Sequence, residues 1–504
     1  MRPMEPMKPM KPLIRNAMLA FAAAGAVAFA PAFLAPAAAQ DHSTKGIPPL
    51  AAPPVGPQTH EAFLKAADEV LAEMSEILHL PPKGQLKKSI RTREEIRQQV
   101  LKDMTDEKEK DERQADELLS KKLGLIPEEL AWEPFLVDLL TEQVAGLYEP
   151  KTHEFYIADW IEPADQREVM AHELTHALQD EHFSIEKWAD AAKPNDDAEF
   201  ARHAVLEGSA FAAMVDWQGR DRGVGVRDLP DLSTLLSPEL MSGGDKSPKF
   251  DSAPQFVRDM MLFPYLSGAV FTQKLLQQYG GWPGFYRVFD HPPASTQQIL
   301  HPDLYFRGVA PAAVTLPALP ASVAPKWRKL EETVGGEFLL LEWMKEFTGS
   351  ARAKDLASLW TGDLYAIYAE AKPAPAMKPA TDGQPASAGN PRSLLVWRIT
   401  MANEADAARV FGGASEALQL RYDKRTALLR RPNYFEFQTP QGGVFLRCIG
   451  RECLLVDGTD RAAYDELTKA MGWPAAPTIP PKPGDQDVAR VVRPPHPGIS
   501  APPM

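Results

Sequence analysis

Apolar residues recur at helical spacing over most of residues 59–310. The first predicted helix carries one apolar stripe, formed by Phe63, Ala66, Ala67, Val70 and Leu71. Thr92 and Glu95 have the Thr-x-x-Glu spacing of a capping box, which predicts that a second helix begins there. We expect the helices before residue 142 to form an N-terminal cover on a larger, mainly helical domain.

Two short β-rich runs interrupt this helical pattern. They are VAGLYEP and HEFYIAD, with Pro150-Lys151-Thr152 at the turn between them, so that a β-hairpin is predicted. We expect the segment from Tyr148 to Ile157 to form the edge of a cleft, where an extended peptide could add by backbone hydrogen bonding.

A second region begins near residue 326 and mixes helical and strand patterns. GGEFLLLEWMKEF and EADAARVFGGASEAL predict helices, whereas LYAIYA and LLVWRITM predict strands. The proline-rich stretch between these two strands, residues 372–393, is either a linker between domains or a loop within a hairpin. We favour the loop, because each flank alone is too short to close a core. Residues 326–475 are therefore predicted to form a small α+β domain, whose role the sequence leaves open.

Both ends of the chain differ from this globular pattern. Basic residues precede an apolar run over residues 17–30, and three alanines end at Ala39, which is the order of a secretory signal peptide. We predict a signal peptide over 1–39, a proline-rich linker over 40–58 and a disordered proline-rich tail over 476–504. The apolar run is shorter than the roughly 20 residues that span a bilayer, so we expect no stable membrane anchor after cleavage. An uncleaved anchor is the alternative.

The overall charge of the chain argues against one class of partner. The net charge is −13 at pH 7, and nucleic acid binding requires a basic surface. Nucleic acid is therefore not an expected partner.

Cys448 and Cys453 are the two cysteines of the chain, and a turn at Gly450 lies between them. In an exported protein this spacing predicts a disulfide bond across a hairpin. Two thiols alone do not complete a structural zinc site, and reduced thiols are the alternative.

The candidate chemistry lies in REVMAHELTHALQDEH, where His172, Glu173 and His176 form the motif H-E-x-x-H. Residues four apart share one face of a helix, so both imidazoles can bind one zinc ion with Glu173 beside them. At about 100° per residue, the two histidines lie about 40° apart, and the apolar residues cluster on the opposite side. We therefore expect this helix to bury its apolar side and to present the ligand side to a cleft.

A catalytic zinc ion keeps three protein ligands, so the two histidines need a third. His182 has the spacing of the metzincin pattern, whereas Glu207 lies on a later helix, as in the gluzincin arrangement. The metzincin pattern requires a glycine turn where this chain has Gln179. Small residues around Glu207, including Gly208, are expected to let its helix lean on the zinc helix. Both residues remain candidates at this point.

The sequence resembles the gluzincin zinc metallopeptidases, and more closely a group of secreted bacterial peptidase-like proteins. The matching segments lie between about residues 140 and 305: QVAGLYEPKTHEFYIAD, HELTHALQDEHF, AVLEGSA, FPYLSG and GGWPGFYRVFDHPPASTQQILHP. The resemblance implies His172, His176 and Glu207 as zinc ligands and Glu173 as the general base. It implies an α+β fold, with a mainly helical zincin-like metallopeptidase domain over 59–310 that contains a small β-sheet.

One position departs from the thermolysin-like pattern, in which an aspartate four residues after the ligand glutamate orients a histidine. This chain has Phe211 there. The candidates for the orienting role are Asp180, Asp196 and Asp197. Tyr265 and His301 are candidate oxyanion donors, but a core tyrosine and a helix-end histidine are the simpler interpretations, and neither is assigned to the site.

These features predict a periplasmic or extracellular zinc endopeptidase that acts on a peptide or protein substrate. Zinc would activate a water molecule, and Glu173 would take its proton. One alternative is a zinc hydrolase of a non-peptide amide or ester, which the same ligands permit. Another is a binding or scaffold protein that keeps a peptidase fold without turnover, although the presence of Glu173 argues against it.

Overall fold

The computed structural model describes residues 57–104, 110–160, 163–236, 248–371 and 392–477. The predicted signal peptide lies outside these ranges, as do most of the predicted linker, proline-rich loop and C-terminal tail. The first helix begins at Pro57, inside the segment predicted to be linker.

Four helices form the N-terminal part of the described chain: α1 (Pro57–Leu78), α2 (Arg93–Met104), α3 (Lys110–Leu123) and α4 (Trp132–Gln143). The predicted stripe of α1 is confirmed, since Phe63, Ala67 and Val70 are buried. The capping box is confirmed as well. The backbone N–H of Thr92 donates to Glu95 Oε2 at 2.7 Å, and the N–H of Glu95 donates to Thr92 Oγ1 at 3.3 Å.

A small sheet contains β1 (Lys87–Arg91), which lies between α1 and α2 in the chain, and β2 (Gly146–Glu149) and β3 (Glu154–Ala158), which follow α4. β2 and β3 pair antiparallel, which confirms the predicted hairpin. β1 pairs parallel to β3, which the sequence did not predict. The order β1-β3-β2 leaves β2 at one edge of the sheet.

Three long helices form the centre of the molecule: α5 (Pro163–Phe183), α7 (Asp196–Gly219) and α9 (Gln255–Tyr279). Shorter helices accompany them: α6 (Ile185–Asp190), α8 (Pro248–Asp251), α10 (Trp282–Phe285), α11 (Arg287–Asp290), α12 (Thr296–Leu300) and α13 (Pro302–Phe306). Single 3-10 turns span Arg220–Arg222, Val226–Asp228, Leu232–Thr234 and Ala324–Lys326. α7 packs between α5 and α9, and β2 packs against α5. This arrangement places α5 and α7 side by side in the interior.

The C-terminal part of the described chain contains a seven-stranded antiparallel sheet. Its strands are β4 (Trp327–Thr333), β5 (Trp360–Glu370), β6 (Ser393–Met401), β7 (Thr426–Arg431), β8 (Tyr434–Thr439), β9 (Gly442–Ile449) and β10 (Glu452–Thr459). Their order is β4-β5-β6-β10-β9-β8-β7. β5 and β6 are antiparallel neighbours, so the proline-rich stretch connects the two strands of one hairpin, as favoured from the sequence.

Helices cover both faces of this sheet. They are α14 (Gly336–Thr348), α15 (Ser350–Ala357), α16 (Glu404–Arg421) and α17 (Arg461–Ala470). The face that carries Tyr365 and Ile367 belongs to the same hydrophobic core as α14, α16 and the central helices. The opposite face, with Ala366 and Tyr368, packs on α17. The fold is therefore α+β, as predicted, and its two regions share one core. The division into two domains stays a prediction.

The predicted disulfide bond between Cys448 and Cys453 is confirmed. The two residues are cross-strand partners in the β9–β10 hairpin. Among the described helices, none is both long and apolar enough to cross a membrane.

Candidate metal centre

Two buried helices bring the predicted ligands together. α5 carries His172, Glu173 and His176, and α7 carries Glu207. The two histidines are one helical turn apart on α5, so their side chains lie on one face. Their ring centroids are 4.9 Å apart. Glu207 reaches this face from the adjacent helix.

The three predicted ligand side chains converge on one point. His172 Nε2 lies 3.2 Å from His176 Nε2 and 3.2 Å from Glu207 Oε2. His176 Nε2 lies 3.5 Å from Glu207 Oε2. Atoms that bind one tetrahedral zinc ion at 2.0–2.2 Å are separated by about 3.3–3.6 Å. Within the described ranges, this is the one group of three or more potential ligand residues whose ligand atoms lie within 4.8 Å of one another.

The burial of this group supports the same interpretation. His172 and Glu207 are 0% exposed and His176 is 3% exposed. A buried carboxylate requires a compensating positive charge nearby. Two imidazole nitrogens and one carboxylate oxygen around a single point are a donor set that a divalent metal ion satisfies. The His-His-Glu group could therefore hold a metal ion.

The electrostatics of the group favour the ligating forms of two of its members. Burial opposes ionisation of Glu207, but His176 and His172 hold the pKa of its carboxyl well below the usual range. Burial lowers the pKa of His172 and keeps the ring neutral. Burial has the same effect on His176, but there the charge of Glu207 outweighs it and raises the pKa. A proton on His176 therefore competes with a metal ion.

Glu173 lies beside the ligands and is held by the edge strand. The backbone N–H of Tyr148, on β2, donates to Glu173 Oε2 at 2.8 Å. The other oxygen, Oε1, has no hydrogen-bond partner among the described residues. Burial raises the pKa of Glu173 to about 7, an effect that His176 reduces and Glu207 reinforces. A carboxyl with a pKa near neutrality is suited to accept and return a proton.

Tyr265 on α9 completes the immediate surroundings. Its hydroxyl is hydrogen-bonded to Glu207, and its ring stacks on His172 with centroids 6.0 Å apart. This residue is part of the core, as the simpler interpretation held, and it also contacts the candidate ligands. His301, the other candidate donor, is instead paired with Glu337, with Nε2 and Oε1 2.8 Å apart.

His182 does not join the group. Its Nε2 lies 2.9 Å from the backbone oxygen of Pro81. Gln179 is inside α5, where the metzincin pattern would require a turn, and its amide donates to Ser209 Oγ on α7 at 2.9 Å. The chain therefore continues as a helix past Gln179, and Glu207 is the third residue of the group.

The three aspartates proposed to orient the histidines do not contact them. Their carboxylates bond elsewhere, Asp180 to Tyr148, Asp196 to Glu331 and Asp197 to Thr296. Nδ1 of His172 and Nδ1 of His176 have no hydrogen-bond partner among the described residues. None of the three candidates is therefore assigned to the orienting role, and no other described residue takes it.

Two further expectations are corrected by the packing. The ligand side of α5 does not line an open cleft, because α7, α9 and β2 enclose it and Glu173 is 0% exposed. Gly208 does not face α5 either. A Cβ atom on Gly208 would lie 2.0 Å from the carbonyl carbon of Gly268, so the small residue serves the close approach of α7 to α9.

Comparisons with protein-family models, with curated proteins and with solved structures find no match. Sequence reasoning missed the backbone N–H of Tyr148 as a partner of Glu173, since a main-chain donor leaves no signal in residue type. It also missed the bond from Gln179 to Ser209. Gln179 and Ser209 are polar residues on predicted helices, and both are buried in the structure. Only the packing of α5 against α7 pairs them.

Proposed function

We propose that this protein is a zinc-dependent endopeptidase with a zincin-like, gluzincin-type centre. The observation that carries the proposal is the convergence of His172, His176 and Glu207, with the carboxylate of Glu173 fixed beside them. Two histidines and one glutamate are the ligand set of catalytic zinc sites that hydrolyse peptide bonds. A glutamate between two histidine ligands on one helix is the general base of that arrangement.

Zinc held by these three side chains would supply a Lewis acid that polarises a carbonyl group and activates water. Glu173 then receives the proton of the water and delivers it to the departing amine. The N–H of Tyr148 keeps one oxygen of this carboxylate in place, which leaves Oε1 to handle the proton. Tyr265 is a positioning residue in this account, since its hydroxyl bond holds the ligand Glu207.

The edge strand β2 supports a peptide as the substrate. Its outer side faces α5, as the bond from the Tyr148 N–H to Glu173 shows. An extended peptide that pairs with this edge would run past the candidate base. β2 is itself buried over Gly146–Tyr148, so substrate entry requires the elements that cover this edge to move apart.

We also propose that the protein is exported. The disulfide bond of the β9–β10 hairpin is consistent with an oxidising compartment. The predicted signal peptide over residues 1–39 would direct the chain to the periplasm or the exterior.

The test is digestion of a peptide library by the zinc-loaded chain and by two matched variants. Glu173→Gln should retain zinc and lose cleavage, because the amide cannot take a proton. Glu181→Gln changes a glutamate on the same helix that bonds to Lys83 at the surface, and it should cleave as the wild type does. Turnover by Glu173→Gln equal to that of the wild type would exclude the proposed mechanism.

The same digestion separates the two alternatives. If the library stays intact while model esters or non-peptide amides are hydrolysed, the protein is a zinc hydrolase of another substrate class. If the zinc-loaded wild type hydrolyses none of these substrates, the scaffold interpretation is favoured.

A further inference from the structure

Strand β2 lies along one side of α5 and contacts it at residues that share a helix face. Glu173 follows Val169 by four residues and Asp180 follows Glu173 by seven, so all three lie on the same side of α5. A Cβ atom on Gly146 would lie 2.7 Å from Val169 Cγ1 and 3.7 Å from Glu173 Cγ. A residue larger than glycine would therefore push β2 away from the helix beside the candidate base.

Tyr148 bonds to α5 twice, through its main chain and through its side chain. Its N–H donates to Glu173 Oε2 at 2.8 Å, and its hydroxyl donates to Asp180 Oδ2 at 2.8 Å. Burial, followed by the charge of Asp180, raises the pKa of the Tyr148 hydroxyl above its ordinary value, so the hydroxyl keeps its proton and remains the donor. One residue of the edge strand therefore holds two carboxylates that lie about two helical turns apart.

Asp180 is buried, and its two oxygens join three segments of the chain. Oδ1 accepts a hydrogen bond from the backbone N–H of Ile185, the first residue of α6, at 3.0 Å. Oδ2, which accepts the bond from Tyr148, also lies 3.1 Å from Nδ1 of His153. His153 lies in the turn between β2 and β3 and has a φ of 49°, a left-handed conformation that residues other than glycine seldom adopt. Asp180 therefore fixes the turn of the hairpin as well as β2.

The orientation of the Glu173 carboxylate depends on this strand. Among the described residues, the Tyr148 N–H is the hydrogen-bond partner of Glu173 Oε2, and Oε1 has none. A main-chain donor moves only with its strand, so the position of β2 on α5 sets the direction in which the carboxylate points. A displacement of about 1 Å at a reacting group can slow a reaction about 100-fold.

We propose that the side chains of Tyr148 and Asp180 clamp β2 on α5 and thereby orient the carboxylate of Glu173. Both are positioning residues, since they act on Glu173 through the main chain of β2. His153 supports this clamp from the turn of the hairpin. The role rests on the proposed function, in which Glu173 is the general base, but the bond that the clamp fixes can be measured without turnover.

Hydrogen–deuterium exchange of the purified full chain, resolved to single residues by mass spectrometry, measures the bond from the Tyr148 N–H to Glu173. Tyr148→Phe removes the hydroxyl and keeps the N–H. Exchange at residue 148 should become about tenfold faster or more in this variant, because the N–H is bonded to Glu173 only while β2 stays in place. The amides in the middle of α5 are the internal reference, since a general loss of stability would speed their exchange as well.

Tyr434→Phe is the matched control. Tyr434 is a buried tyrosine on β8, and its hydroxyl donates to Glu436 Oε2 at 2.7 Å. The control variant therefore loses the same kind of bond, from a tyrosine hydroxyl to a carboxylate, but in the other sheet. It should leave exchange at residue 148 as it is in the wild type.

Peptide cleavage gives the second readout. With a peptide that the wild type cleaves, Tyr148→Phe should lower kcat about tenfold or more, with KM and zinc content close to those of the wild type. A purely structural role would instead lower zinc content and melting temperature without separating kcat from KM. Asp180→Asn should keep more of kcat than Asp180→Ala, because its amide can still accept from the Ile185 N–H and donate to the Tyr148 oxygen.

Faster exchange at residue 148 in Tyr148→Phe, with the α5 amides and Tyr434→Phe unchanged, would support the clamp. Equal exchange at residue 148 in Tyr148→Phe and the wild type would overturn it, and so would an acceleration that the α5 amides share. An unchanged kcat in Tyr148→Phe, beside a wild type that cleaves peptides, would overturn it too. If the wild type cleaves no peptide while the exchange result holds, the proposed function fails and the clamp stands.

Discussion

The crossing of α7 and α9 allows a sharp prediction about the metal centre, because it can be disturbed by one methyl group. In Gly208→Ala the new Cβ would lie 2.0 Å from the carbonyl carbon and 2.3 Å from the carbonyl oxygen of Gly268. Ordinary carbon–carbon contact is about 3.5–4.0 Å. The two backbones must therefore separate by more than about 1 Å, and neither contact atom belongs to a flexible side chain.

The expected loss in free energy of unfolding follows from overpacking. Insertion of a methyl group into a closely packed core typically costs about 1–3 kcal/mol, and a backbone-to-backbone clash belongs at or above the upper end. We expect Gly208→Ala to lose about 3 kcal/mol or more in free energy of unfolding. Zinc affinity should fall too, because Glu207 is the adjacent residue and moves with the helix that carries it.

The matched control is Gly412→Ala on α16. A Cβ atom on Gly412 would meet no atom within 4 Å, and alanine is favoured over glycine in a helix by about 1 kcal/mol. This variant should be as stable as the wild type or slightly more stable. Urea unfolding followed by circular dichroism, with zinc content measured on the same samples, checks both variants. A Gly208→Ala protein with wild-type stability and zinc affinity would refute the packing argument.

Two further predictions concern the C-terminal part. Cys448→Ser should lower the free energy of unfolding by about 2 kcal/mol, because the bond closes a short loop, and it should leave zinc content unchanged; loss of zinc would show that the hairpin supports the centre. Burial and the charge of Asp116 raise the pKa of Glu331 to about 8. The contribution of Glu331 to the stability of the fold is therefore fully present below about pH 4.5, where the carboxyl is protonated, and it is lost as the pH rises through about 8. Glu331→Gln should therefore show a smaller drop in melting temperature between pH 5 and pH 9 than the wild type, and an equal drop would contradict the assignment.

Features with a short-range cause could be predicted from the sequence. The capping box at Thr92, the hairpin of β2 and β3 and the disulfide bond each depend on residues close together in the chain. The same holds for His172 and His176, because four residues along a helix bring two side chains onto one face. The sequence left Glu207 and His182 as the two candidates for the third ligand. The packing of α7 against α5 places Glu207 in the group.

Features that depend on which elements meet could not be predicted. Small residues near Glu207 indicated a close helix contact, but not that Gly208 would meet Gly268 rather than α5. The parallel pairing of β1 with β3 joins segments more than 60 residues apart, without a local signal. The open cleft was expected from the pattern of α5 alone, whereas α7, α9 and β2 enclose the ligand side of that helix. Partner choice is a property of the whole core, which periodicity within one segment does not specify.

His172, His176 and Glu207 are proposed to hold one zinc ion, and elemental analysis of the purified full chain measures whether they do. We predict one zinc ion per chain in the wild type and in His182→Ala, because the side chain of His182 bonds to Pro81 and not to the metal centre. Glu207→Gln has nearly the same shape as the wild type but lacks the anionic ligand, and it should lose the metal. Absence of a stoichiometric metal in the wild type, or a stoichiometric metal other than zinc, would show that the proposed zinc centre is wrong. So would retention of zinc by Glu207→Gln together with its loss in His182→Ala.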